Sequence, residues 1–295
     1  MMPDYSVWGL CNPLSMRGLV NLPIATGVGG STIIYVSIRK PAVAGQFYSG
    51  NAGELSATVA TLLKEAQDWD TPAPKALIVP HAGYIYSGSV AANAYARLQP
   101  YRDQYQRVIL LGPCHRTPVH GLALSSADVY RTPMGDVPLD KTAIASLDFP
   151  GLQIFDESHR NEHSLEVHLP FLQALLGDFS VVPIVVGDAK PELVSQVLDA
   201  LWGGPETLIV ISSDLSHYLK YDDACALDAM TCQAIEGLDA GQINHDMACG
   251  ATPVGGLLIA AKRRGMNVTT LDLRNSADTT GDRDVVVGYG AWMFV

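Results

Sequence analysis

Two short apolar runs each end in Pro or Gly and then deliver a histidine. Ala76-Leu77-Ile78-Val79-Pro80 leads to His81, and Val108-Ile109-Leu110-Leu111-Gly112-Pro113-Cys114 leads to His115. A third run, Thr207 to Ser212, opens into Ser213-Asp214-Leu215-Ser216-His217. Imidazoles and a carboxylate gathered in one place can hold a metal ion or move a proton. Cys249 joins them by another argument. It lies in Ala248-Cys249-Gly250, just ahead of Thr252, the expected N-cap of a helix, whose positive dipole end should lower the thiol pKa. A thiolate with two imidazoles is a three-ligand set for iron, copper or zinc, with positions left for water or substrate. The competing reading of a lone cysteine among apolar residues is simple burial.

These residues need a scaffold that brings strand ends together. Uninterrupted apolar runs are what parallel strands look like when helices cover both faces of a sheet. In such sheets ligands sit beyond the carboxyl ends, and neighbouring strands about 4.8 Å apart put successive ends into one cluster. The expectation is therefore an α/β fold, one domain with a mostly parallel central sheet flanked by helices. Phe179 to Val186 reads as a further buried strand, and Val268 to Leu273 and Val285 to Val295 as later ones. Helices are expected over Asn51–Asp68, opened by an Asn51-Ala52-Gly53-Glu54 capping pattern, and over 87–98, 190–202 and 221–238. A short helix near 242–247 and one opened by Thr252-Pro253 and stopped by Gly265 complete the set. The stretch from Glu162 to Pro170 should start another helix, with its polar residues together at one end.

The composition fits a globular protein: 295 residues, 48% hydrophobic and 17% charged. A formal net charge of -11 argues against nucleic acid and against anionic membrane surfaces as partners. Five cysteines without paired spacing suit a reducing cytoplasm; Cys225 and Cys232 share one helix face and read as structural. Gly18 to Ser37 is uncharged but too polar and glycine-broken for a membrane span or signal peptide. Residues 1–36 are expected to be a disordered or non-native leader, with the native start near Val36, and residues 37–295 to form the domain.

Six ordered motifs carry a resemblance. They are Arg39-Lys40-Pro41-Ala42-Val43-Ala44-Gly45-Gln46-Phe47-Tyr48, Pro80-His81-Ala82-Gly83-Tyr84, Gly112-Pro113-Cys114-His115, Tyr130-Arg131-Thr132-Pro133, Glu162-His163-Ser164-Leu165-Glu166-Val167-His168-Leu169-Pro170 and Ser212-Ser213-Asp214-Leu215-Ser216-His217. Together they resemble the Memo family, also called AmmeMemoRadiSam system protein B, over about Ser37 to Val295. That family is similar in fold to the class III extradiol ring-cleaving dioxygenases (LigB-like), which hold non-haem iron with two histidines and a carboxylate. The resemblance implies His81 and His115 as metal ligands and Cys249 in the third ligand place. It implies Asp214 and His217 as catalytic pocket residues, His217 in the acid/base place, and Tyr84, Arg131, His163 and Glu166 around the pocket. Thiolate in place of carboxylate would turn the site towards copper. His163 and His168 are about 140° apart around a helix, so His163 should lie near the pocket and His168 should be structural.

Three functions remain open on this basis. The first is a non-haem iron or copper oxidoreductase-like protein acting on an unknown small molecule. The second is a non-enzymatic metal- or peptide-binding adaptor; in microbes the resemblance implies a radical-SAM enzyme and an AMMECR-type protein as companions. The third is a zinc hydrolase that lowers the pKa of bound water.

Overall fold

The runs that lead to His81, Asp214 and His115 become three adjacent parallel strands. The computed structural model describes residues 19–22, 34–67 and 70–295. In chain order the strands are β1 (Leu19–Leu22), β2 (Ile34–Arg39), β3 (Ala76–Val79), β4 (Arg107–Pro113), β5 (Leu122–Leu124), β6 (Val129–Thr132) and β7 (Gly135–Pro138). They continue with β8 (Leu152–Ile154), β9 (Ser180–Val186), β10 (Thr207–Ser212), β11 (His217–Leu219), β12 (Val268–Asn275) and β13 (Val286–Phe294). The larger sheet runs β11-β13-β3-β10-β4-β9-β5-β8, with β12 also paired to β13; a smaller one runs β1-β2-β6-β7. Most of the expected 1–36 leader lies outside the described residues. Its Leu19–Leu22 segment pairs antiparallel with β2, which itself spans the expected boundary at Val36.

The central strands β3, β10, β4 and β9 are parallel, and β3 and β10 are buried along their whole length. Pairings of β13 with β3, β11 and β12, and of β5 with β9, are antiparallel. The sheet is thus mixed, with the expected parallel order at its centre. Register sets Val79 of β3 opposite Ser212 of β10, and Ile211 opposite Leu111 of β4. Because β10 lies between the other two, Asp214 emerges between His81 and His115. Helices Ala52–Glu65, Tyr84–Tyr95 and Leu169–Leu175 pack together as one group, and Pro191–Leu201 with Ala251–Arg264 as a second. Among the described residues no helix is long and apolar enough to cross a membrane.

Local chemistry explains the element ends. Asn51 caps the first helix by accepting from Glu54 N at 3.1 Å. Gly265 ends the Ala251–Arg264 helix in a left-handed conformation, φ 64°. The short helix expected near 242–247 does not form. Asn244 turns its side chain onto the N–H groups of Asp246 and Met247, and only a 3-10 turn remains at Ala240–Gln242. The helix expected from Glu162 starts late, as a 3-10 turn at Glu166–His168 running into Leu169–Leu175. Glu162 accepts from the N–H groups of His163 and Ser164, which holds those residues outside the helix. Cys225 and Cys232 do share the Tyr221–Glu236 helix, but Cys225 is exposed rather than buried.

Glu166 and Tyr84, expected beside the pocket, belong to the packing instead. Glu166 is fully buried and accepts from the Arg39 guanidinium, from Ala42 N at 2.7 Å, from Val43 N at 3.0 Å and from the Tyr48 hydroxyl. It clamps the 39–48 segment onto the domain. Tyr84 donates to Val167 O at 2.6 Å, and its ring lies 5.0 Å from that of Phe171. Arg131 also departs from the expected place: it forms a two-pronged pair with Asp136 across the β6–β7 turn, half in solvent. Its role is to close that hairpin.

Breaking one side of a buried ion pair strands the other charge and costs about 3–5 kcal/mol. Glu166→Gln is therefore expected to lower stability by about 3 kcal/mol in urea unfolding, with the metal ligands untouched. A change below about 0.5 kcal/mol would show that the clamp is not structural.

Candidate metal centre

His81 is 2% exposed at the end of β3. Its Nδ1 lies 2.6 Å from Ser212 Oγ, and that hydroxyl donates its only proton to Ser164 O at 2.6 Å. Ser212 must then accept from His81, so the ring carries its proton on Nδ1 and turns the Nε2 lone pair into the pocket. Cys249 Sγ is 3.4 Å from that Nε2. His81 N also donates to Asp214 Oδ1 at 2.7 Å, which ties the ends of β3 and β10 together.

His115 is oriented by a charge rather than a hydroxyl. Its Nδ1 is 3.0 Å from Glu162 Oε1, and its backbone N–H donates to Oε2 at 2.6 Å. The Glu162 carboxyl is held at about 2: these hydrogen bonds and the nearby imidazole outweigh its burial. A carboxylate bonded to the far nitrogen of a histidine is the usual support for a metal ligand. His81, His115 and Cys249 offer donor atoms all within 4.8 Å of one another. Two imidazole nitrogens and a sulfur at this spacing fit a soft or borderline transition metal.

Cys249 reaches this position from the start of the Ala251–Arg264 helix. The cap residue is Gly250, not Thr252, and a Cβ there would lie 2.7 Å from both Ser212 O and Ser213 Cβ. Only glycine allows this close approach to the end of β10. The expected low thiol pKa is reversed. Burial, then the neighbouring Asp214 carboxylate, push Cys249 up to about 12, and its hydrogen bonds do not offset them. Asp214 itself is pushed up to about 7 by burial, so its carboxyl can hold a proton near neutrality.

His163 stacks on His115 at 4.7 Å and meets His81 edge-on at 5.5 Å. Burial drives its pKa down to about 4, and its Nδ1 makes no hydrogen bond. With Glu162 and His115 it forms a second group of donors. Glu162 Oε1, however, already accepts from His163 N, Ser164 N and His115 Nδ1, so this group supports the first. His217 stands at the start of β11, outside the triad, with its pKa lowered by burial and, to a lesser degree, by the charge of His115. His168 bonds Tyr95 as a structural residue, and His159 does the same with Tyr130 and Ala123 O.

Two of the three donors, His115 and Cys249, line a cleft of about 600 Å³ whose wall also includes Arg116, His120, Asp188 and His245. His120, His245 and Arg116 were not singled out by sequence, nor were Glu162, Ser212 and Ser164 as supports. Ser212 did leave a trace, as the one hydroxyl closing an apolar strand. So did Glu162, which directly precedes a histidine where polar residues gather.

The chain is similar to known proteins along most of its length. The family model for Memo-like protein matches residues 39–293. "Protein MEMO1" of Xenopus laevis is 33% identical over 291 residues, covering 87% of this chain and 97% of that protein. A "MEMO1 family protein" of Aquifex aeolicus is 36% identical over 271 residues, covering 88% and 99%. "Protein MEMO1" of Homo sapiens is 31% identical over 290 residues, covering 87% and 97%.

Two outcomes follow from the supports and the thiol. Ser212→Ala frees the His81 ring and is expected to weaken zinc(II) affinity about 10–100-fold in a chelator competition, with the fold intact. Unchanged affinity would mean that the hydroxyl does not set the ring. The thiol is protonated throughout the neutral range and must lose its proton to bind, so metal affinity should rise with pH. The expected slope is about tenfold per pH unit between roughly pH 7.5 and 9.5, and Cys249→Ala should flatten it.

Proposed function

Because this chain belongs to the Memo-like family, we propose that it holds an iron or copper ion with His81, His115 and Cys249 and carries out oxidoreductase-like chemistry on a small molecule in the adjoining cleft. The observation that carries this reading is the 3.4 Å approach of Cys249 Sγ to the free Nε2 of His81, with His115 completing the donor set. A bound redox metal would supply an open coordination position for dioxygen or substrate. The chain's own residues supply the rest. Ser212 and Glu162 hold the two rings in ligand geometry. Asp214, with its carboxyl near 7 and Oδ2 3.8 Å from His81 Nε2, can store a proton beside the site. His217, with burial holding its ring neutral at physiological pH, is proposed as the base that takes the substrate proton.

Elemental analysis after anaerobic purification, followed by oxygen-uptake and ester-hydrolysis assays, tests the reading. Iron or copper with oxygen-dependent turnover is the expected result. Zinc with hydrolysis, or metal without turnover, would replace it with a hydrolase or a binding protein. His81→Ala and His115→Ala should each abolish stoichiometric metal while the protein stays folded. His217→Ala should keep the metal and lose turnover by about 10²–10⁴-fold. Loss of metal in that variant would make His217 a ligand.

A further inference from the structure

The wall of the cleft beside the triad carries one arginine and one aspartate. Asp188 is turned to solvent, 88% exposed and 3.8 Å from His120 Nδ1. Arg116, next in the chain to the ligand His115, is exposed as well but differs in its surroundings. Among the described residues it is the one arginine whose guanidinium forms no hydrogen bond, ion pair or ring contact. The ten others are all engaged: Arg39 with Glu166, Arg107 with Asp140, Arg131 with Asp136 and Arg274 with Asp272 are examples. Arg97, Arg160, Arg263 and Arg264 likewise have acceptors, exposed Arg102 forms a loose ion pair with Asp103 at 3.8 Å, and Arg283 lies over the Tyr221 ring.

In a chain with net charge -11, carboxylates to satisfy an arginine are plentiful. The buried carboxylate on this side, Glu162, is already committed to His115. The same wall holds Thr252 and Pro253, in the first turn of a 14-residue helix whose positive dipole end adds to the field. An unpaired planar fork of donors suits a carboxylate or a phosphate gripped by two hydrogen bonds.

We propose that Arg116 is the specificity-determining residue of the cleft and binds an oxyanion, carboxylate or phosphate, at one end of a small ligand whose other end reaches the metal. This rests on the metal-centre reading above. The ligand is then an anion met by an unpaired arginine on an otherwise acidic protein.

The test uses the full chain loaded with cobalt(II), whose visible spectrum reports ligands entering the coordination sphere. Dicarboxylates from malonate to glutarate, 3-phosphonopropionate and the half-amide succinamate are titrated into wild type, Arg116→Lys and Arg116→Gln. Expected is a preference of about tenfold or more for the best dianion over succinamate, erased in Arg116→Gln and partly kept in Arg116→Lys, with equal cobalt content in all three. Whether a carboxylate or the phosphonate binds tighter identifies the oxyanion. Equal binding of charged and half-amide ligands by wild type, or a preference that survives in Arg116→Gln, overturns the proposal. If the protein binds no cobalt, the metal reading has failed by itself. The same dianions are then titrated calorimetrically into metal-free protein, where Arg116-dependent binding upholds the oxyanion site and its absence overturns it.

Discussion

One hydroxyl proton decides what the pocket can do. Ser212 sits at the end of β10 with two buried partners, an imidazole nitrogen and the carbonyl of Ser164. The carbonyl can only accept, so the proton goes there and the imidazole must donate. His81 is left with one basic nitrogen, and it faces Cys249. Were the Ser164 carbonyl elsewhere, Ser212 could donate to His81 instead, and an N–H would point at the sulfur. His115 obeys the same logic with a stronger partner, the Glu162 carboxylate. A charged acceptor holds a ring more firmly than a hydroxyl does, so the two imidazoles are unequally supported.

Burial then penalises charge of either sign around these rings. It raises the Asp214 carboxyl to about 7 and the Cys249 thiol to about 12, and lowers His163 to about 4. Beside the Glu162 carboxylate, these groups carry little charge when left alone. A cation and a thiolate can enter the pocket as a mutually compensating pair, whereas either charge by itself would be strongly opposed.

Much of this arrangement was legible in the sequence because it rests on strand ends. Apolar runs closing on Pro80, Gly112 and Ser212 announced buried parallel strands, and the register of β3, β10 and β4 brought their following residues together. Cys249 was found through its place before a helix, although its acidity was misjudged: sequence shows the helix start, and only packing shows the burial and the Asp214 carboxylate that raise the thiol. Glu166 and Arg131 were misplaced because a motif groups residues along the chain without saying which face they take. Glu166 turns inward to Arg39 and Arg131 outward to Asp136. The failed helix near 242–247 turned on Asn244, whose side chain competes for backbone N–H groups that a periodicity count treats as free.

The donor set also fixes an order of events during biosynthesis. His81 and Cys249 are 168 residues apart in the chain, and the clamp that seats residues 39–48 waits for Glu166, 127 residues beyond Arg39. Next to β3 on the sheet lies β13, the last strand before the carboxyl terminus. A nascent chain on the ribosome therefore has two histidines long before it has the sulfur or the neighbour that completes β3. Folding dominated by such distant pairings is slow. The complete donor set therefore cannot take up a metal before Cys249 has been made and the β3 edge has gained β13.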